Sequence, residues 1–283
     1  MEIEFESEYY PKKLRNIYNP PKKINVLGNI DILNNFGIAI IGSRNCSNYG
    51  EKMSKIFSKK LCEYNINIIS GMAIGIDKFV HLETIKENGV TIAVLPSGFN
   101  NIYPSENKYI VDKIINSGGA VISEYNENFV ATSKSFIERN RIVSGISEGI
   151  LIVEGGYRSG TSVTAKIAKK QNKKIFCIPS SLDNPKGLVP NKLIHDGEIL
   201  VRDEKDILKE FNNNSFKKRK KNLSKTSIEE LPIYYLLNKD MDINEIVKKS
   251  GLKIEEVNYQ LMILELDNKI EELPGKIYRR VNI

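Results

Sequence analysis

Three short apolar runs in this chain end in glycine-bearing turns, and each turn opens a segment patterned as a helix. Ile38–Ile41 precedes Gly42-Ser43-Arg44, and Ile68-Ile69-Ser70 precedes Gly71-Met72-Ala73-Ile74-Gly75-Ile76-Asp77. Ile150–Val153 leads into Gly155-Gly156-Tyr157-Arg158-Ser159-Gly160-Thr161. Glycine lets the backbone turn sharply and lets a ligand approach main-chain N–H groups. The helix that follows offers oriented donors and a partial positive charge, which attract phosphate. Three such ends on one parallel sheet, with arginines beside them, predict a surface for a polyanion rather than a pocket for one small molecule.

The surrounding pattern alternates strand and helix. Strands are expected at Ile38–Ile41, Ile66–Ser70, Thr91–Leu95, Ala120–Glu124, Ile150–Val153, Lys174–Ile178 and Ile199–Val201. Helices are expected at Tyr49–Tyr64, Lys78–Asn88, Asn107–Ser117, Phe136–Ile146, Ser162–Lys170, Lys192–Asp196 and Glu204–Phe211. The strands are near-continuous apolar runs, as in a parallel sheet covered on both faces. The fold class is therefore α/β, a Rossmann-like doubly wound and mostly parallel sheet. Ligands of such sheets bind outside the carboxyl ends of the strands, where all three glycine features fall.

The 283 residues accommodate this domain and a small second module. Residues 1–36, with Pro11, Pro20 and Pro21, read as a lead-in segment of short helices packing on the core. Residues 37–211 form the main domain. Residues 212–225 read as a basic linker carrying Lys217, Lys218, Arg219, Lys220, Lys221 and Lys225. From Thr226 to the end, acids outnumber bases by eleven to eight. There a helix start at Ser227-Ile228-Glu229-Glu230, helices at Asp242–Ser250 and Ile254–Asn268, and a hairpin turning at Pro274-Gly275 predict a winged helix. Its presumed recognition helix carries Glu255, Glu256 and Asn258, a poor fit to a phosphate-lined groove.

The net charge of +7 permits nucleic-acid binding without establishing it. Cys46, Cys62 and Cys177 are widely spaced, and His81 and His195 are the only histidines. Neither a disulfide framework nor a metal site is expected. No apolar run approaches the ~20 residues that span a bilayer. The acidic start, Met1-Glu2-Ile3-Glu4-Phe5-Glu6, lacks the pattern of a signal peptide. A cytoplasmic protein with no membrane partner is expected.

Each constellation has a functional and a structural reading. Ser43 caps the turn toward the next helix, and Arg44 either presents its planar fork to a phosphate or pairs with a neighbouring carboxylate. Asp77 caps the helix that carries His81, while the glycines before it supply N–H groups to a ligand or simply shape the loop. In Ser135-Phe136-Ile137-Glu138-Arg139-Asn140-Arg141 two arginines flank an asparagine at an expected helix start, with Lys134 just upstream. Cations there oppose the helix dipole, so bound phosphate, or else Glu138 or Glu154, has to compensate them. The basic linker is either solvated or a non-specific tether to nucleic acid.

Ser159-Gly160-Thr161 opens a helix as a phosphate loop would. It lacks the lysine-and-hydroxyl pair of a Walker P-loop and the close glycine spacing of a dinucleotide fold. Ser97-Gly98 lacks a nucleophile elbow, and the two histidines lie far apart in sequence. No catalytic set and no cofactor are expected.

In combination these residues resemble the DNA-processing protein A family (DprA, also called Smf). The resemblance runs through Ile40-Ile41-Gly42-Ser43-Arg44, Tyr49-Gly50, Ser70-Gly71-Met72-Ala73 and Gly75-Ile76-Asp77 with His81. It continues through Thr91–Leu95, Gly98 with Tyr103-Pro104, Ile122–Tyr125, Arg139-Asn140-Arg141-Ile142 and Val153-Glu154. Ser159-Gly160 with Thr164-Ala165, and Asn191 with Leu193-Ile194 and Gly197, complete it. The chain departs from the family pattern at Phe136-Ile137, Pro179-Ser180 and the longer Gly187–Asn191 segment.

The resemblance implies a homodimeric protein that binds single-stranded DNA and loads the RecA recombinase onto incoming strands in natural transformation. By the same implication Arg44 and the Lys134, Arg139, Arg141 region contact the DNA backbone. Gly42, Ser43, Gly71, Asn140, Ser159, Gly160 and Thr161 line the same groove. A different reading is a nucleotide sensor, or a nucleoside-monophosphate phosphoribohydrolase like the Lonely Guy enzymes. Thr164 stands where the catalytic glutamate of those enzymes would fall, and a hydroxyl cannot replace a carboxylate beside an oxocarbenium-like centre.

Overall fold

The structure, a computed structural model, describes residues 1–211, 216–219, 232–266 and 269–281. It contains two compact units, residues 1–219 and 220–283. The expected helix start at Ser227 lies outside the described residues. So does most of the linker.

In the first unit the elements follow in the order β1 (Glu2–Glu4), α1 (Lys12–Arg15), β2 (Lys23–Gly28), β3 (Gly37–Ile41), α2 (Asn48–Cys62), β4 (Asn67–Ser70), α3 (Ile76–Lys86) and β5 (Thr91–Val94). Next come α4 (Lys108–Asn116), β6 (Ala120–Ser123), α5 (Ser133–Gly145), β7 (Gly149–Ile152) and α6 (Gly160–Lys170). The unit closes with β8 (Lys174–Cys177), α7 (Leu188–His195), β9 (Ile199–Leu200) and α8 (Glu204–Leu208). The sheet order is β1-β2-β6-β5-β4-β3-β7-β8-β9. From β6 to β9 every pair is parallel. The chain winds outward from β3 in one direction and from β7 in the other, so the strand order reverses between these two neighbours.

The central strands form because they are buried at every position, not at alternate ones. Alternate residues of β3 feed two separate layers. Ala39 and Ile41 pack with Ile142 and Val143 of α5 and Ala165 and Ala168 of α6. Ile38 and Ile40 pack with Phe57 and Leu61 of α2 and Val80 of α3. Burial on both faces explains why the apolar runs are unbroken.

All seven expected strands occur, with ends shifted by a residue or so. Residues 1–36 hold the expected short helices, α1 and a 3-10 turn at Asp31–Asn34, and also contribute β1, antiparallel to β2, and β2, antiparallel to β6. In β2 the alternation Lys23-Ile24-Asn25-Val26 buries Ile24 and Val26. That is the period-2 pattern of a strand, which the prolines around it had outweighed. Helix α5 begins at Ser133, not near Phe136. Thr132 and Ser135 form a reciprocal capping box there, with serine in the place usually taken by glutamate or glutamine.

The second unit holds α9 (Pro232–Leu236), β10 (Met241–Asp242), α10 (Ile243–Ser250), α11 (Ile254–Leu266), β11 (Ile270–Leu273) and β12 (Ile277–Arg280). Asp242 caps α10, and Gly251, at φ 69°, ends it in the left-handed conformation. The strands pair in the order β10-β12-β11. Ile233, Ile246, Val257, Leu261 and Tyr278 share its core. This is a winged helix.

Candidate functional site

A cavity of about 690 Å³ opens at the carboxyl ends of β3 and β7, where the strand order reverses. Its walls include Gly42, Ser43, Arg44, Gly71, Arg139, Asn140, Ser159, Gly160 and Thr161. Lys134 and Arg141 do not line it. Asp77, Tyr103, Phe136 and Arg158 do, although sequence reasoning did not single them out as site residues.

Two loops are locked together at its floor. Gly75 takes φ 78°, and a Cβ there would run into the carbonyl oxygens of Ser43 and Arg44. Only glycine permits that approach. The next amide, Ile76 N–H, donates to Ser43 O at 3.2 Å. Ser43 is not a helix cap. Its hydroxyl donates to Asn45 O, and Ser47 caps α2 by accepting from Gly50 N–H. Asp77 is not a cap either. It lies inside α3, and its Oδ2 accepts from Gly71 N–H (3.1 Å) and Ala73 N–H (3.3 Å). The Gly71 amide, one of those expected to face a ligand, is therefore already taken.

The arginines divide by role. Arg139 is 4% exposed, and its Nη1 donates to Gly71 O and to Val94 O. Its Nε donates to Asn140 Oδ1 at 3.2 Å, so the asparagine side chain orients the arginine. A Cβ on Gly71 would collide with the guanidinium. Burial pulls the Arg139 pKa down to about 10, with Asp77 opposing that shift, so the group stays charged at neutral pH. Burial raises the Asp77 pKa, and Arg139 acts against it. Arg139 is thus an internal strut. Arg141 pairs with Glu124 at 2.6 Å, away from the cavity. Lys134 is exposed and pairs with Glu138 at 3.4 Å.

The expected argument from helix dipoles fails because α5 starts at Ser133, which places Arg139 at its midpoint and Arg141 beyond it. Their compensation also comes from elsewhere than expected. Glu138 accepts from Tyr125 Oη (2.9 Å) and Lys134, and buried Glu154 accepts from the Ser47 amide (2.9 Å) and hydroxyl.

Arg44 differs from both arginines of α5. It is exposed and has no hydrogen bond or ion pair among the described residues. Its guanidinium lies 4.6 Å from the centroid of the Phe136 ring, and Tyr103 meets the same ring edge-on at 5.4 Å. Across the cavity Ser159 caps α6 by accepting from Ser162 N–H. The Gly160 and Thr161 amides of that first turn have no partner among the described residues, as expected for helix-terminal donors. Arg158, at φ 53°, lies beside them with its guanidinium 5.2 Å from the exposed Tyr157 ring. The cavity therefore offers two cations, two open amides and aromatic faces. Thr164 Oγ1 donates to Gly160 O at 3.0 Å, a bond within the helix.

Behind this rim His81 is fully buried. Thr91 Oγ1 gives its proton to Ile68 O, so His81 Nδ1 must be the donor to Thr91 Oγ1 at 2.8 Å. Nε2 has no partner among the described residues, and burial with the Arg139 charge pushes the imidazole pKa down from 6.5 to about 3. A base whose folded pKa is depressed stabilises the fold above its unfolded pKa, and that contribution is lost as pH falls from about 6.5 through about 3. Asp77, raised, acts with the opposite sign over the carboxylate range. Urea unfolding of the wild type is expected to show falling stability below pH 6.5, and His81→Gln to flatten that slope. A wild-type profile flat from pH 6.5 to 4 would contradict this.

Among the described residues no helix is long and apolar enough to cross a membrane. The sequence pattern of the DNA recombination-mediator protein A family matches residues 2–212, and that of the DprA winged helix domain matches residues 218–276. Protein Smf of Escherichia coli (strain K12) is 34% identical over 292 residues, spanning 98% of this chain and 76% of that protein. DNA processing protein DprA of Bacillus subtilis (strain 168) is 36% identical over 210 residues, spanning 74% of this chain and 70% of that protein. The X-ray structure of DprA from Streptococcus pneumoniae superposes with a TM-score of 0.71 at 33% identity over 74% of each chain. DNA processing protein A from Helicobacter pylori, in a structure concerned with its single-stranded DNA binding mode, gives a TM-score of 0.67. That match is 26% identical and covers 75% of this chain and 96% of that one.

Proposed function

The chain belongs to the DNA recombination-mediator protein A (DprA/Smf) family, and from that premise we propose that it binds single-stranded DNA at the β3–β7 rim and passes the strand to the RecA recombinase, without catalytic turnover. The observation that carries this reading is Arg44, a cation unpaired among the described residues, stacked on Phe136 across the cavity from the Gly160 and Thr161 amides. A phosphodiester suits both sides of the cavity, since an arginine fork and helix-terminal N–H groups both favour an anion. Phe136, Tyr103 and Tyr157 offer faces on which bases stack without regard to sequence. In this reading residues 37–211 carry the DNA site of a cytoplasmic homodimer, and 226–283 form an appended module.

That module is a poor duplex reader by charge. Helix α11 exposes Glu255, Glu256 and Asn258. In the wing Arg279 is held by Asp240 at 2.8 Å, and Arg280 lies 3.6 Å from the Tyr234 ring centroid.

The test is binding of a labelled oligothymidylate and of mononucleotides at two salt concentrations. Affinity is expected to rise with oligomer length and to fall with salt, as counterion release requires. Preference for a mononucleotide, or release of free base, would favour the nucleotide-binding reading instead. For the recombinase step, RecA filament assembly on strands coated with single-strand binding protein should accelerate when the protein is added. No acceleration, with DNA binding intact, would remove that step alone.

A further inference from the structure

We propose that a second single-stranded DNA subsite lies beyond the cavity, on the α3–α4 face, where Tyr109 is a base-stacking platform flanked by Lys78 and Lys113. The inference rests on the DNA-binding reading above and extends it. Tyr109 is 44% exposed. Lys78 Nζ lies 5.9 Å and Lys113 Nζ 5.2 Å from its ring centroid. Lys108, one residue before it, is also exposed. None of the three lysines has an ion-pair partner among the described residues, whereas Lys86, at the end of α3, pairs with Glu83.

The platform and the cavity share the carboxyl edge of the sheet. Asp77 and Tyr103 line the cavity, and Lys78 is the next residue after the former. Buried Asn107 donates through Nδ2 to Met72 O at 2.8 Å, which fixes the start of α4 against the glycine loop. Lys78 and Tyr109 lie in the first turns of α3 and α4, and both turns sit at the carboxyl edge of the sheet. A strand leaving the cavity past Tyr103 meets an aromatic ring with one cation 5.2 Å and another 5.9 Å from its centroid, the pairing that single-strand channels use. Glu106 and Asp112 lie on the same stretch of chain. The ring, more than net charge, therefore has to supply the preference.

The chain has no tryptophan, so Tyr109→Trp places a single reporter at the platform. An oligothymidylate longer than about 16 nucleotides should quench its emission, and one of about 4 nucleotides should not. Tyr109→Ala should weaken the long oligomer about tenfold and leave the short one unchanged, while Tyr109→Phe behaves as wild type. Lys78→Ala with Lys113→Ala should lower the salt slope for the long oligomer by about 0.7 per lysine. Unchanged emission at position 109 while Arg44-dependent binding persists would overturn the platform and leave the cavity site standing. Failure of wild type to bind either oligomer would overturn both.

Discussion

Arg139→Ala is expected to lower the stability of the first unit by about 3–5 kcal/mol in urea unfolding, the cost of breaking a buried charge network. The substitution removes the donor to Gly71 O and Val94 O and leaves Asp77 without its cation. It also empties the space against which Gly71 is packed. Single-strand binding should fall only as far as the folded fraction falls. A loss under 1 kcal/mol, with binding abolished in fully folded protein, would make Arg139 a DNA contact and not a strut.

Arg44→Ala is expected to do the reverse. Its guanidinium lies over the Phe136 ring and makes no hydrogen bond or ion pair among the described residues, so the unfolding midpoint should stay within the small range of surface substitutions. A hydrogen bond to a charged group contributes about 1.5–3 kcal/mol, which corresponds to a tenfold to hundredfold loss of single-strand affinity. The salt slope should fall by about 0.7, one phosphate contact fewer. Unchanged affinity in the folded variant would remove Arg44 from the interface. The two arginines together separate what holds the rim from what the rim holds.

Sequence patterning made the central sheet legible because its strands are buried on both faces. The runs at Ile38–Ile41 and Ile150–Ile152 have no polar interruption to confuse them with surface structure. The same reasoning pointed to the sheet edge at which the cavity opens, since glycine after a strand permits close backbone approach. It did not resolve which polar groups face inward. Arg139, Asn140 and Arg141 are adjacent in sequence, yet the helix turns them toward a buried loop, a neighbouring arginine and Glu124 in succession. Spacing within a helix fixes such directions only once its start is known, and the serine at the third position of the capping box concealed that start. Likewise Asp77 carried a capping signal but folds back on Gly71 and Ala73, a choice made by tertiary packing. Tyr103 and Phe136 carried no local signal, because a loop residue and a residue of α5 distant in sequence meet only in the folded chain.

The central claim is that a phosphodiester is held between Arg44 and the first turn of α6. A crystal structure with a bound oligothymidylate tests it most directly. The account predicts a phosphate oxygen within hydrogen-bond distance of the Arg44 guanidinium and of the Gly160 or Thr161 amide, with Arg139 still bonded to Gly71 O and Arg141 still paired with Glu124. A strand bound on another face, or Arg141 released from Glu124 to grip the backbone, would contradict it.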